Sequence, residues 1–147
     1  ANAKLQNKSW YQSSEWPNWS LKNIDSKYRV IAEIIANLLE NACKYTHKNA
    51  QLGICLFDSG IMVFDNGKKI ASDEVEKIFR KGYRGITSKN KDGTGVGLFL
   101  ARKLAKKIGG NLNLLENYQD NQFLNEIKNL KKTNIFYLEL PTEQLHR

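Results

Sequence analysis

The chain has 147 residues, 41% of them apolar, and a net charge of +8. That length suits one domain with a buried core, and no apolar run approaches the roughly 20 residues that a membrane-crossing helix needs. No secretory leader pattern opens the chain, and Cys43 and Cys55, with neither paired nor metal-like spacing, read as small buried residues in a reducing compartment.

The charge is localised. Between Arg80 and Lys107 stand nine Lys or Arg and one acid, Asp92, while elsewhere 14 of each sign cancel. Such a stretch fits nucleic acid, an anionic membrane, the phosphate of a small ligand, or simply a solvated basic face.

In chain order, residues 1–24 are polar with four aromatics, Trp10, Tyr11, Trp16 and Trp19. Trp16-Pro17 excludes a continuous helix there. The rings fit either packing on the edge of the domain or a docking surface for a preceding segment. Asp25 or Ser26 can cap a helix running to about Lys48. In it Val30, Ile31, Ile34, Ile35, Leu38, Leu39 and Ala42 make one wide apolar face. Gln51 to Phe57 and Gly60 to Asp65 read as strands joined by Asp58-Ser59-Gly60. Asp73 to Phe79 reads as a short helix, and Tyr83 to Asp92 as a polar loop without periodicity. Val96 to Ile108 is a second amphipathic helix, ended by Gly109-Gly110. Asn111 to Leu115 and Asn134 to Leu140 read as strands, with an amphipathic helix expected between residues 118 and 133 from Phe123, Leu124, Ile127 and Leu130. The order predicts an α/β (α+β) sandwich, a mixed sheet with helices packed on one face.

Three places carry chemistry. In "DGTGVGLFLARKLAKKIGG", Gly93, Gly95 and Gly97 lead into a helix. Glycines let a backbone approach an anion, and a helix N-terminus offers free N–H groups. Neither the Walker pattern nor the dinucleotide fingerprint fits this stretch, and a plain flexible loop is the other reading. In "VFDNGKKI", a strand ends in Asp65, followed by Asn66-Gly67. This is either a hairpin turn or a carboxylate placed to accept a hydrogen bond from a ligand amine such as that of adenine. In "NLLENACKYT", Asn37, Asn41, Lys44 and Tyr45 crowd one side of the first helix. An Asn oxygen suits Mg²⁺, a lysine suits phosphate and a tyrosine can flank a nucleoside; a polar outer face in an Asn-rich chain is the alternative.

The succession of an Asn helix, strand-Asp-x-Gly, "EKIFRKGYRG" and a GxGxG-helix resembles the ATP-binding domain of sensor histidine kinases. That family shares a superfamily with DNA gyrase, heat-shock protein 90 and the mismatch-repair ATPases. "NLLENACKYT" is similar to its N box, "DNGKKI" to its G1 box, "IFRKGYRG" to its F box and "GTGVGL" to its G2 box. The resemblance covers about Asp25 to Pro141 and makes residues 25–147 the ATP-binding domain, with 1–24 an extension or the remnant of a linker from a dimerisation domain. It implies ATP and Mg²⁺ as ligands, a lid between the F and G2 boxes, and Asn41 as the metal ligand. Asn37, Asn41 and Lys44 would act on metal and phosphate. Tyr45, Asp65, Gly67, Ile70, Phe79, Tyr83, Arg84, Gly93, Thr94, Gly95, Val96, Gly97 and Leu98 would contact the nucleotide. One departure stands out: the G1 pattern reads Asp-x-Gly-x-Gly, and its last position here is Lys69.

In hydrolysing relatives a Glu four residues before the metal-binding Asn activates water; here that position is Asn37. An amide cannot serve as a general base, and Glu33 lies two turns from Asn41. The expected chemistry is therefore phosphoryl transfer to another nucleophile, which the resemblance implies is a histidine, with a response regulator as the next acceptor. Neither His47 nor His146 has the sequence context of a phosphoacceptor, which places the acceptor on a separate dimerisation domain. The resemblance implies a cytoplasmic domain, tied to a membrane only through other domains, and no nucleic-acid partner. The remaining readings are an anti-sigma-type serine kinase of the same superfamily, a degenerate docking module, and a basic nucleic-acid-binding domain.

Overall fold

The computed structural model describes residues 9–12, 20–21, 24–46, 49–57, 60–83, 97–116, 133–141 and 145–146. Its elements are β1 (Ser9–Gln12), β2 (Ser20–Leu21), helix α1 (Ile24–Tyr45), β3 (Gln51–Phe57), β4 (Gly60–Asp65), helix α2 (Gly97–Lys107), β5 (Asn111–Leu115), β6 (Asn134–Glu139) and β7 (Leu145–His146). Five strands form one sheet in the order β1-β3-β4-β6-β5, and β2 pairs with β7 in a separate two-stranded sheet. β1 runs parallel to β3, whereas β3–β4, β4–β6 and β5–β6 are antiparallel. The parallel pair needs a crossover, and α1 lies in the chain between its two strands. The sandwich with a mixed, mostly antiparallel sheet is thus the observed fold. No pattern in residues 1–24 signals β1, which adds an edge strand beside β3.

Side chains alternate along each strand. On β4, Ile61 and Val63 enter the main core, while Met62 and Phe64 enter a second cluster. On β6, Phe136 and Leu138 join the first and Ile135 and Tyr137 the second. The main core includes Ile34 and Leu38 of α1 and Ala101 and Ala105 of α2, all fully buried. Small residues on α2 let the two helices approach closely. The wide apolar face expected on α1 is graded, with Val30, Ile31, Ile35 and Leu39 only partly buried at its margins. Every residue of β4 is buried, so this central strand is covered on both faces.

Boundaries differ where local bonding intervenes. α1 ends at Tyr45, short of Lys48, and the Thr46 hydroxyl donates to the Ala42 carbonyl at 2.6 Å across its last turn. The expected helix from Asp73 to Phe79 is instead two 3₁₀ turns, Ser72–Glu74 and Lys77–Phe79. Short connecting pieces commonly take the tighter 3₁₀ form, and Phe79 at the end of the second turn is buried in the core. The helix expected within 118–133 and the loop after Tyr83 lie outside the described residues. The stop at Gly109-Gly110 is as expected. Gly109 has φ +82°, its N–H donates to the Lys106 carbonyl at 3.0 Å, and the Gly110 N–H reaches the Ala105 carbonyl at 2.9 Å. This pair of bonds is the Schellman motif.

A Cβ on Gly110 would collide with the Glu139 carbonyl oxygen. Gly110→Ala therefore lowers the unfolding free energy by about 1–3 kcal/mol in urea denaturation; native-like stability would contradict this packing. Burial pushes the Cys55 thiol up from 9.0 to about 11, so folding favours its neutral form. That contribution is complete below pH 9.0 and is lost as pH rises towards about 11. A thiol reagent at mildly alkaline pH should leave Cys55 unmodified until the protein is unfolded.

Candidate functional site

Asp65 closes β4 on the same strand face as Ile61 and Val63, so it points towards the helix layer. Its register partner is Asn134, the first residue of β6, on the same face as Phe136 and Leu138. Each is only 5% exposed. A buried carboxylate requires donors. Asp65 Oδ1 accepts the Gly67 N–H at 3.0 Å and the Asn134 Nδ2 at 3.2 Å. Asn134 Nδ2 also donates to the Lys68 carbonyl at 2.9 Å, and its Oδ1 accepts the Ile70 N–H at 2.8 Å. One side chain from β6 thus holds the turn that follows β4. Asn66 ties the turn to β3, its Oδ1 accepting the Gln51 N–H at 2.6 Å and its own N–H donating to the Gln51 carbonyl at 3.1 Å. The partners of β4 are β3 and β6, so Asp65-Asn66-Gly67 does not connect a hairpin.

Asn37, Asn41, Lys44 and Tyr45 are half-buried along α1. Asn37 Oδ1 lies 3.9 Å from where a Cβ on Gly97 would stand. The Asn side of α1 therefore reaches the first residue of α2, whose first turn carries no acid to offset its partial positive charge. At the other end of α1, the Thr46 methyl lies 2.8 Å from where a Cβ on Gly67 would stand. The end of the first helix abuts the turn below Asp65 and fits it only because position 67 has no side chain. Ile70 and Leu98 are partly buried against the main core. Arg84, Gly93, Thr94, Gly95 and Val96 lie outside the described residues.

Phe79 and Tyr83 have structural roles in the segment resembling the F box. Phe79 is a core residue, its ring edge-on to Phe136 with centroids 6.1 Å apart, and the Arg102 guanidinium carbon sits 3.9 Å from its centroid. Arg102 also bonds the Leu112 carbonyl at 3.0 Å, Asn113 Oδ1 at 2.8 Å and Glu76 at 3.1 Å. Tyr83 donates to Glu74 Oε2 at 2.5 Å. That hydrogen bond, with smaller contributions from desolvation and the Glu74 charge, holds its phenol above the usual value. Part of the basic surplus has a local reason. Lys106 and Lys107 fill the last turn of α2, where cations favour the helix dipole, at the opposite end from Gly97.

Sequence reasoning missed Asn134, Thr46 and Arg102. Asn134 had a usable signal, because it shares parity with Phe136 and Leu138 on a strand whose core face was legible. Thr46 and Arg102 act through contacts between elements that periodicity does not report.

Residues 27–144 match the family described as Histidine kinase-, DNA gyrase B-, and HSP90-like ATPase. The chain belongs to this family. It is 35% identical over 95 residues to sensor histidine kinase Hik2 of Thermosynechococcus vestitus, covering 61% of this chain and 25% of that protein. In structure it is similar to the mycobacterial sensor histidine kinase MprB, with a TM-score of 0.66 at 21% identity over 92% of this chain and 82% of that one. It is also similar to full-length ShkA, solved in complex with AMPPNP, with a TM-score of 0.62 at 23% identity over 96% of this chain and 26% of that one. The chain thus spans about a quarter of the length of Hik2 and of ShkA.

The close fit of Thr46 against Gly67 makes a prediction. Gly67→Ala should lower stability by about 1–3 kcal/mol. Adding Thr46→Ser, which removes the methyl and keeps the hydroxyl, should recover most of that loss in thermal unfolding. Equal stability of the single and double variants would contradict the contact.

Proposed function

We propose that this domain binds Mg²⁺-ATP between α1, the turn after β4 and the start of α2, and transfers the γ-phosphate to a histidine on a separate dimerisation domain. The observation that carries the reading is Asp65. It is a buried carboxylate, oriented through Oδ1 at the helix-facing end of the sheet, where a purine amino group would find an acceptor. The complex of ShkA with AMPPNP gives a structural relative that takes an ATP analogue.

In this reading Asp65 selects adenine, Gly67, Ile70 and Leu98 shape the pocket, and Tyr45 flanks the nucleoside. Asn41 offers the hard neutral oxygen that Mg²⁺ favours, and that ion supplies charge neutralisation at the phosphates when bound. Asn37 and Lys44 serve metal and phosphate beside the N-terminus of α2, whose N–H groups favour anions. Arg84, Gly93, Thr94, Gly95 and Val96 would complete a lid over the phosphates. Phe79 and Tyr83, expected as nucleotide contacts, are engaged with Phe136 and Glu74, and in this reading they hold the F-box segment beside the site. Asn37 cannot deprotonate water, so the site favours a nucleophile brought by another domain, and its work is positioning and charge neutralisation. An imidazole nitrogen attacks the γ-phosphorus, the bond to the β–γ bridging oxygen breaks, and ADP leaves. The phosphoryl group then passes to an aspartate on a response regulator.

Residues 25–147 form the ATP-binding domain in this account, with 1–24 leading in from the dimerisation domain. No described helix is long and apolar enough to cross a membrane. Separately, the likeness to sensor kinases supports assigning the domain to the cytoplasmic part of a sensor.

The test uses γ-labelled ATP, this chain and the dimerisation domain of the full-length kinase. The expected product label is acid-labile and alkali-stable. Lys44→Ala and Asn41→Asp should each lower the transfer rate by roughly 100-fold or more. An acid-stable label would replace the histidine acceptor with a hydroxyl, and normal rates in both variants would refute their roles.

A further inference from the structure

We infer that Asn134 is a positioning residue of the nucleotide site, one that fixes the Asp65 carboxylate and the 67–70 turn together and so sets selectivity for a purine amino group. The inference rests on the nucleotide reading above.

Asn134 occupies a position where an apolar side chain would continue the face made by Phe136 and Leu138. A buried carboxamide there costs free energy unless its donors and acceptor are satisfied. All three of its hydrogen bonds reach one target, the end of β4 and the turn after it. The amide orientation is dictated by its partners. Only the oxygen can accept the Ile70 N–H, and only the NH₂ can donate to the Lys68 carbonyl and to Asp65.

The turn has a reason to need this support. Position 69, where the G1 pattern has its second glycine, is Lys69, an exposed residue with a Cβ and a restricted backbone. Asn134 grips the chain on both sides of it, at the Lys68 carbonyl and the Ile70 N–H. The turn shape is therefore imposed from β6, and the same amide sets the direction of the carboxylate. Changing position 134 releases the loop and the carboxylate at once, which separates its effect from that of an ordinary core residue.

Calorimetric titration of the full chain with two ligands tests this. One is a non-hydrolysable ATP analogue; the other is the matching purine riboside triphosphate, which lacks the amino group. The native chain should prefer the first. Asn134→Ala should shrink that preference about tenfold, the scale of one lost hydrogen bond to a charged group, with little change for the second ligand. Lys69→Gly added to Asn134→Ala should restore part of the preference, while alone it should change little. If Asn134→Ala does not fold, Asn134→Thr, which keeps one donor, carries the same comparison with a smaller loss. Equal weakening of both ligands, or an intact preference with only a lowered unfolding midpoint, would overturn the inference. A native chain that binds both ligands equally, or neither, would instead remove the nucleotide reading on which it rests.

Discussion

The site hangs on the antiparallel register of β4 against β6. That register sets Asp65 opposite Asn134, and strand alternation turns both towards the helices. A slip of one residue would move either side chain to the other face of the sheet. The register is itself over-determined, because Val63 opposite Phe136 and Ile61 opposite Leu138 fill the main core on the same face. The second cluster of Met62, Phe64, Ile135 and Tyr137 fixes it from the other side. A hydrophobic constraint thus positions two polar groups that could not secure their own placement.

The helix layer makes contact at two separate places, with Thr46 against Gly67 at the sheet end and Asn37 beside Gly97 at the start of α2. The distance along the chain between those contacts is nine residues, about 13–14 Å at the rise of an α-helix. Arg102 secures the back of this layer. It covers Phe79 and bonds β5 and Glu76 at once, tying α2 to the two 3₁₀ turns.

Much of this was legible in the sequence, for identifiable reasons. The β3, β4 and β5 boundaries match their expected limits because apolar runs and turn residues coincide there. The glycine stop of α2 was readable because only a left-handed residue ends a helix that way. Asp65 was readable as the polar end of an apolar strand, whereas its burial and its bonds to Gly67 and Asn134 were not. Asn134 was readable only as a polar residue on a core face, because its partners lie 64–69 residues away. β1 was not readable, because its pairing with β3 depends on a crossover that local pattern does not encode. The stretch from Asp73 to Phe79 had helical composition, which does not distinguish an α-helix from the two 3₁₀ turns that bring Phe79 into the core.

In the proposed function Asp65 is the group that recognises the ligand. The most direct measurement is calorimetric titration of a non-hydrolysable ATP analogue into the native chain and Asp65→Asn, with and without Mg²⁺. The account predicts binding by the native chain that Mg²⁺ strengthens and that Asp65→Asn weakens by about tenfold or more, since a carboxylate acceptor is exchanged for an amide in a buried site. Equal affinity in both proteins, or no binding to the native chain at high ligand concentration, would contradict it.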